Sequence, residues 1–277
     1  MKLPRFMFPI AIALLLIILA GCGGTTTSSG TSTPSATTAA PVSLKIYAAS
    51  SLTESFDAIK TAYQAVHPNV TITYNFNGSQ ALEQQLANGA PADIFASADV
   101  SHMTLAKSAK LVTTSQIFAK NKLVVIVPIS NPGHITSLND LDKSGVKLVV
   151  GVPAVPVGKY GLQVLDNLGK AAQYGAVYEK SVKANIVSQE EDDKSVVSKV
   201  QLGDADAGIV YRTDVTTAEA TKVSIIPIPD QYNVIAQYPI AVLTGSTQQQ
   251  AAQSFVSYLL SSDGQSIMEK YNFISAK

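Results

Sequence analysis

The chain has 277 residues, and its 20 basic and 20 acidic side chains give a formal net charge of zero at pH 7. No block of Lys and Arg stands out, which argues against nucleic acid as a partner. The sequence holds one cysteine, which excludes an internal disulfide framework and a metal site built from cysteines. Its length allows one large domain or two small ones.

The first 21 residues predict a secretory signal peptide. Lys2 and Arg5 precede an apolar run over residues 6–20, and small residues lead into Cys22, which is the pattern of such a signal. This ending resembles the lipobox of bacterial lipoproteins, which implies that Cys22 becomes the diacylated first residue of the mature protein. A signal anchor is the alternative, but the run is short for a spanning helix. We therefore expect an exported protein, held by lipid on the outer face of the cytoplasmic membrane.

Cys22 and the segment after it, residues 22–43, predict an acylated tether. Residues 23–43 are almost all Gly, Thr, Ser, Ala and Pro, with no charge. A flexible coil of this length has a root-mean-square reach of about 25 Å. A disordered leader without a role is the alternative. No later run approaches the roughly 20 apolar residues that span a bilayer.

The rest of the chain alternates strand-like apolar runs with helical patterns, which predicts an α/β fold with largely parallel sheets. The predicted strands of a first series are residues 44–48, 70–75, 93–98 and 122–127. Those of a second series are residues 146–150, 184–187, 207–211, 225–229 and 238–243. Helices lie between them, and Gly169 and Gly203 are predicted to end two of these. Two final helices are predicted over residues 248–260 and 265–271.

Both series open with a strand, a polar turn and a helix, which predicts two lobes with a ligand cleft between them. We expect lobe I to comprise residues 44–121 and 241–277, and lobe II to comprise residues 122–240.

Two of the predicted helix starts carry serines, at Ser51 and Ser79. The free N–H groups and positive dipole of a helix N-terminus attract anions, and serine hydroxyls add donors without charge. Two such ends side by side predict a pocket for a small oxyanion. The alternative is plain capping, since Ser51 and Glu54 have the spacing of a capping box.

Signals for an enzyme are weak. The loop from Gly151 to Lys159 lacks the Ser or Thr of a phosphate-binding loop, and no nucleophile elbow is present. The histidines, at positions 67, 102 and 134, follow no metal-ligand spacing. The acidic run over residues 190–193 is interpreted as a solvated helix start instead of a cation site. A surface hydrolase stays open as an alternative, without a nucleophile and base to support it.

Several motifs, in this order along the chain, carry a family resemblance. They are Ala-Ala-Ser-Ser-Leu-Thr at 48–53, Asn-Gly-Ser at 77–79, Gly-Ala-Pro-Ala-Asp-Ile-Phe-Ala-Ser-Ala-Asp at 89–99, Val-Pro-Val-Gly-Lys-Tyr at 155–160, Asp-Ala-Gly-Ile-Val-Tyr at 206–211 and Tyr-Pro-Ile-Ala-Val at 238–242. Together they resemble the molybdate-binding proteins of bacterial ABC importers. The resemblance implies a two-lobed type II periplasmic binding protein fold. It also implies a monomer that is not an enzyme, needs no cofactor, and delivers molybdate or tungstate to a membrane permease with its ATPase.

Position by position, the resemblance implies five residues that meet the oxyanion. Ser51 and Ser79 would donate hydroxyl and backbone hydrogen bonds from lobe I. Val157 and Asp193 would donate backbone N–H groups from two helix starts of lobe II, and Tyr211 would donate its phenolic hydroxyl. The metal would be bound only as its oxyanion.

An all-donor site suits a dianion that carries no proton. Hydrogen phosphate brings a donor that would find no acceptor, at a cost of roughly 1–3 kcal/mol. Sulfate is also fully ionised, so its rejection must depend on the size of the pocket. Sulfate or another tetrahedral oxyanion stays an alternative ligand.

Asp193 departs from the family pattern, in which this position is usually apolar. We expect Asp192 to cap the helix and Asp193 to lie in its first turn, with its side chain directed to water. The alternative is that the Asp193 carboxylate reaches the metal directly, as in a related archaeal group.

Overall fold

The structure is a computed structural model that describes residues 40–276. The predicted signal peptide, Cys22 and most of the predicted tether lie outside the described residues. Within residues 40–276, no helix has both the length and the apolar character that crossing a membrane requires.

The strands alternate with helices along most of the chain. The strands are β1 (Val42–Ala49), β2 (Val70–Asn77), β3 (Ile94–Ala96), β4 (Gln116–Asn121), β5 (Leu123–Pro128), β6 (Leu148–Gly151), β7 (Ile186–Glu190), β8 (Ala207–Tyr211), β9 (Val223–Pro227), β10 (Ala236–Val242) and β11 (Ile274–Ser275). The helices are α1 (Thr53–Val66), α2 (Ser79–Ala87), α3 (Val100–Ser108), α4 (Pro156–Lys170), α5 (Gly175–Ala184), α6 (Asp193–Leu202), α7 (Gln249–Leu259) and α8 (Ser262–Lys270). The predicted α/β class is confirmed.

The strands form two sheets, one of six strands in the order β11-β4-β10-β3-β1-β2 and one of five in the order β7-β6-β8-β5-β9. We call the part built on the first sheet lobe I and the part built on the second sheet lobe II. Most strands of each sheet run in the same direction, as expected, but neither sheet is wholly parallel. β10 runs antiparallel to β3 and β4, and β5 runs antiparallel to β8 and β9. These antiparallel strands adjoin the segments where the chain changes sheet.

The chain passes from lobe I to lobe II at Lys122, between β4 and β5, and returns between Pro227 and Ala236. Because β10 already begins at Ala236 in the first sheet, the return lies earlier than the boundary expected at residue 241. Buried Asn121 joins the lobes next to the first crossing. Its Nδ2 lies 2.8 Å from Thr213 Oγ1 and 3.2 Å from Tyr238 Oη.

Local sequence signals account for some helix ends and fail at others. Gly203 ends α6 in the left-handed conformation, with a φ of 79°, as predicted. Gly169 does not end a helix, because α4 continues through it to Lys170. Helix α5 and strand β4 were not predicted.

Each lobe has an apolar core between its sheet and its helices. In lobe I, the Phe56 ring lies 5.8 Å from that of Phe118 and 6.2 Å from that of Phe255, so α1, β4 and α7 meet in one aromatic cluster. In lobe II, valines of α6 pack against the sheet, among them Val196 and Val200, which are fully buried. The cluster around Phe56 also continues into lobe II, where it includes Leu165 and Val182.

The aromatic cluster yields a stability prediction for α1. Phe56→Ala removes a fully buried ring and should lower the free energy of unfolding by about 3–5 kcal/mol. Val66→Ala, on the same helix but 64% exposed, should change it by less than about 0.5 kcal/mol. Urea unfolding followed by circular dichroism measures both. Equal effects from the two substitutions would contradict this description of the core.

Candidate functional site

The predicted site residues follow the carboxyl ends of parallel strands. In lobe I, β1 is parallel to β2 and β3, so the segments after these three strands meet at one edge of the sheet. In lobe II, β6 is parallel to β7 and β8, so the segments after these strands also meet at one edge of their sheet. Open α/β sheets bind ligands at such edges. The segments after the two edges contact each other, since Ser50 donates a hydrogen bond to Asp193 and Glu54 pairs with Lys194.

Ser51 lies in a short 3-10 helix, Ser50–Leu52, between β1 and α1, and is buried. Its Oγ lies 2.9 Å from Tyr238 Oη. The alternative capping role for Ser51 is wrong, because α1 is preceded by Leu52 and has no side-chain cap. The hydroxyl therefore faces the interior of the protein instead of the helix end.

Ser79 is the first residue of α2 and is buried. Its Oγ accepts a hydrogen bond of 2.9 Å from the backbone N–H of Ala98, which fixes the position of the hydroxyl. The preceding Gly78 lies against lobe II. A Cβ on Gly78 would lie 2.5 Å from the carbonyl oxygen of Glu191, so the close approach of the lobes here requires glycine.

Val157 is the second residue of α4, directly after Pro156, and is buried. Proline suits the first helical position because the N–H that it lacks would have no partner within the helix. Val157 therefore presents a first-turn N–H at the positive end of the helix. The turn is tight, since a Cβ on Gly158 would lie 2.1 Å from the carbonyl oxygen of Val152.

Asp193 begins α6, and Asp192 caps this helix by accepting a hydrogen bond of 2.7 Å from the N–H of Ser195, as predicted. The expectation that the Asp193 side chain points to water is wrong. Its side chain is buried, with the residue only 3% exposed, and its Oδ1 accepts a hydrogen bond from Ser50 Oγ of lobe I. The cause is tertiary, because lobe I covers the start of this helix.

Asp214 is a site residue that the sequence analysis missed. It is fully buried, and its Oδ2 accepts a hydrogen bond of 2.9 Å from the N–H of Tyr211. Burial and the neighbouring Asp193 carboxylate raise the pKa of Asp214 well above its usual range. The sequence does contain a signal for this bond. Asp214 lies three residues after Tyr211, the spacing at which an acidic side chain can accept a hydrogen bond from the backbone N–H that precedes a turn. Ser50 was also missed.

Tyr211 and Tyr238 stand side by side, with ring centroids 5.8 Å apart. Burial raises the pKa of the Tyr211 phenol well above its usual range, so its hydroxyl keeps its proton and can donate. Among residues 40–276, the buried Tyr211 Oη has no hydrogen-bond partner. A buried donor without a partner is costly, so this hydroxyl is a candidate for contact with a ligand.

Charged pairs join the lobes beside these residues. Lys194 Nζ of lobe II lies 2.8 and 2.9 Å from the two carboxylate oxygens of Glu54 in lobe I. Although burial alone would lower the pKa of Lys194, the charges of Asp214, Asp193 and Glu54 raise it. The predicted site contains no cation of its own, but Lys194 supplies one next to it.

A second ion pair crosses the cleft at Asp99, which is fully buried after β3. Its carboxylate lies 3.2 Å from Lys159 Nζ of lobe II and 2.8 Å from His102 Nδ1. Burial alone would raise the pKa of Asp99, but the hydrogen bonds and charge of His102 and the charge of Lys159 hold it below its usual range. Across the described residues, no group of His, Cys, Asp and Glu has the arrangement of a metal site.

Three of the five predicted residues, Ser51, Asp193 and Tyr211, are connected through their neighbours. The other two, Ser79 and Val157, are not. Ser51 reaches Tyr211 through Tyr238, and Asp193 faces Ser50 beside Ser51. Ser79 and Val157 lie at the starts of surrounding helices, without a hydrogen bond to the other three. The role of all five in ligand binding stays a prediction.

Comparison with known proteins identifies the family. Residues 44–274 match the family of bacterial extracellular solute-binding proteins. The chain belongs to this family. The expected two-lobed type II periplasmic binding protein fold is confirmed, since solved structures of such proteins match the chain.

Individual relatives span nearly the whole chain. The "Molybdate-binding protein ModA" of Mycobacterium tuberculosis is 34% identical over 94% of this chain and 94% of its own length. The "Putative ABC transporter substrate-binding lipoprotein YvgL" of Bacillus subtilis is 32% identical over 97% of this chain and 98% of its own. A solved "substrate binding domain of putative molybdenum ABC transporter" from Clostridium difficile has a TM-score of 0.64 and 33% identity, covering 85% of this chain and all of that one.

The contact at Gly78 yields a prediction about closure. Gly78→Ala should hold the lobes apart, because the new Cβ meets backbone of lobe II. We expect a larger radius of gyration than for the wild type in X-ray scattering with saturating molybdate, the anion for which the relatives are named. Gly245→Ala is the matched control, since a Cβ there meets nothing within 4 Å. An unchanged radius for Gly78→Ala would contradict the close approach.

Proposed function

We propose that this protein captures molybdate, or tungstate, in the cleft between its lobes and delivers it to the permease of an ABC importer. The names of its relatives support the ligand and the importer. The observation that carries the proposal is the buried Tyr211 hydroxyl, which has no hydrogen-bond partner within residues 40–276. Its ring lies beside that of Tyr238 in lobe I, whose hydroxyl contacts Ser51.

The proposed contacts to the anion are hydrogen bonds to its oxo groups. Ser51 and Ser79 donate from lobe I, and Val157, Asp193 and Tyr211 donate from lobe II. Helix N-termini supply positive potential at Ser79, Val157 and Asp193, which each lie in the first turn of a helix. The tetrahedral dianion needs donors only, so hydrogen phosphate is disfavoured by its own proton. No residue ligates the metal in this proposal.

The ligand stabilises the closed arrangement because it contacts both lobes. A ligand shifts a conformational equilibrium by its differential affinity for the two states. The crossings beside Asn121 and before Ala236 are the hinge in this proposal, with residues up to 121 and from 236 in lobe I. The ion pairs Glu54–Lys194 and Asp99–Lys159 add to the closed state. We propose that the protein acts as a monomer.

The same proposal includes export and a lipid anchor at Cys22. The family is described as extracellular, and one relative is named a lipoprotein. Residues 1–21 would be removed as the signal peptide, and residues 23–43 would tether the body to the outer face of the cytoplasmic membrane.

Calorimetry tests the ligand. Molybdate and tungstate should bind at least about a hundredfold more tightly than sulfate and phosphate, a difference of about 2.7 kcal/mol. Tyr211→Phe removes the unpartnered hydroxyl and should weaken molybdate binding by about ten- to a hundredfold. Tyr258→Phe, which removes a phenolic hydroxyl from α7, should leave the affinity unchanged. Equal affinity for phosphate, or an unaffected Tyr211→Phe, would refute the proposed site.

Metabolic labelling with a fatty acid tests the anchor. Cys22→Ser should abolish the label and release the protein from the membrane fraction, while molybdate binding is kept, because the substitution lies outside the body. Label retained on the variant would place the lipid on another residue.

A further inference from the structure

Asp193 and Asp214 form a buried acid pair in lobe II. They are 3% and 0% exposed. Asp193 begins α6 and Asp214 ends the turn Arg212–Asp214, and these two segments pack against each other. Asp193 Oδ1 accepts from Ser50, and Asp214 Oδ2 accepts from the N–H of Tyr211. The second oxygens of both carboxyls, Asp193 Oδ2 and Asp214 Oδ1, are buried without a partner in the described chain.

Two adjacent ionised carboxylates are not a stable buried arrangement. Each leaves one acceptor oxygen without a donor, and like charges at short range disfavour ionisation of both. A single proton between the two free oxygens would give both a partner and remove one negative charge. The hydrogen-bonding pattern therefore fits one shared proton, in the manner of a carboxyl pair that titrates as a unit.

We propose that Asp193 and Asp214 share one proton in the closed cleft, so that capture of the oxyanion takes up a proton from solvent. This inference rests on the proposed function, because it assigns the acid pair to the same cleft. The proton binds to the carboxylate pair, and no covalent bond of the anion changes. In this proposal, the backbone N–H of Asp193 donates to the ligand. Its side chain and that of Asp214 together carry one negative charge instead of two.

Other charged or titratable groups face the pair from every side. They are Lys194 on α6, Tyr211 on β8, Tyr238 on β10 and, through its ion pair with Lys194, Glu54 on α1. Tyr160 on α4 lies beside Tyr211. Burial raises the pKa of each of these three tyrosines above its usual range, so they stay neutral. Lys194 is the nearby cation and already pairs with Glu54. It cannot neutralise both aspartates and a dianion as well.

The sign of the pH dependence follows from burial. Closure places Ser50 and Tyr238 of lobe I over the pair, and the anion adds negative charge beside it, so both favour the protonated form. In the structure, burial and the Asp193 carboxylate raise the pKa of Asp214 well above its usual range. Opening would expose the pair to solvent and remove the effect of burial, so we expect the open cleft to hold the proton less tightly. A proton taken up on binding weakens the affinity as pH rises, by up to about tenfold per pH unit for one proton. This dependence begins above the ordinary aspartate pKa of about 3.9.

Calorimetry with molybdate in buffers of different ionisation enthalpy counts the protons taken up. For the wild-type protein between about pH 6 and 8, we expect up to about one proton per anion, and a Kd that rises with pH. Asp193→Asn and Asp214→Asn should each remove most of the uptake and flatten the pH profile. Asp204→Asn makes the same charge change at an exposed residue beyond the end of α6 and should keep the wild-type uptake.

Infrared difference spectroscopy gives a second measurement, which uses only the wild-type protein and so does not depend on whether the variants fold. Molybdate added to the wild type should produce the C=O band of a protonated carboxyl group. Molybdate binding without proton uptake and without this band would overturn the inference and leave the proposed function intact, as would full uptake in both asparagine variants. Failure of molybdate, tungstate, sulfate and phosphate all to bind would overturn the proposed function and this inference together.

Discussion

The contact between Asp193 of lobe II and Ser50 of lobe I is the interaction on which the rest of the cleft depends. It brings a carboxyl group under the opposite lobe, where water does not compensate its charge. Burying an ionised group is costly unless partners or a proton compensate it. The groups that decide how this charge is compensated are the neighbours of Asp193. They are Asp214, Lys194 and the hydroxyls of Tyr211 and Tyr238.

The lobes also meet through contacts that lie beside the site instead of in it. Glu54 of lobe I forms an ion pair with Lys194 of lobe II, and Asp99 of lobe I forms another with Lys159 of lobe II. Both lysines follow closely on a proposed donor, since Lys194 is next to Asp193 and Lys159 is two residues after Val157. A movement that opens the cleft would therefore break ion pairs and donor positions together, which couples the affinity for the ligand to closure.

The sequence predicted what depends on local pattern. The serines at the turns after β1 and β2, the cap at Asp192 and the stop at Gly203 follow from short-range rules, and the structure has them. The burial of Asp193 could not be predicted, because an acid in a first turn is usually exposed and only the opposite lobe covers it. Asp214 was missed for the same reason, since its partner Asp193 lies 21 positions away. Strand β10 joined the first sheet earlier than expected because an apolar strand does not reveal which sheet it enters.

An acid at position 193 conflicts with an all-donor site only while the acid is ionised. A carboxylate offers acceptors and negative charge, which both oppose an anion, whereas a carboxylic acid is neutral and carries a donor. Asp214 makes the protonated form accessible by facing Asp193 inside a buried site. The two residues therefore have to be considered as one group, since replacing either one alone also removes the partner that holds the proton. With the proposed shared proton, Asp193 leaves the proposed neutral donor set intact and adds a dependence on pH.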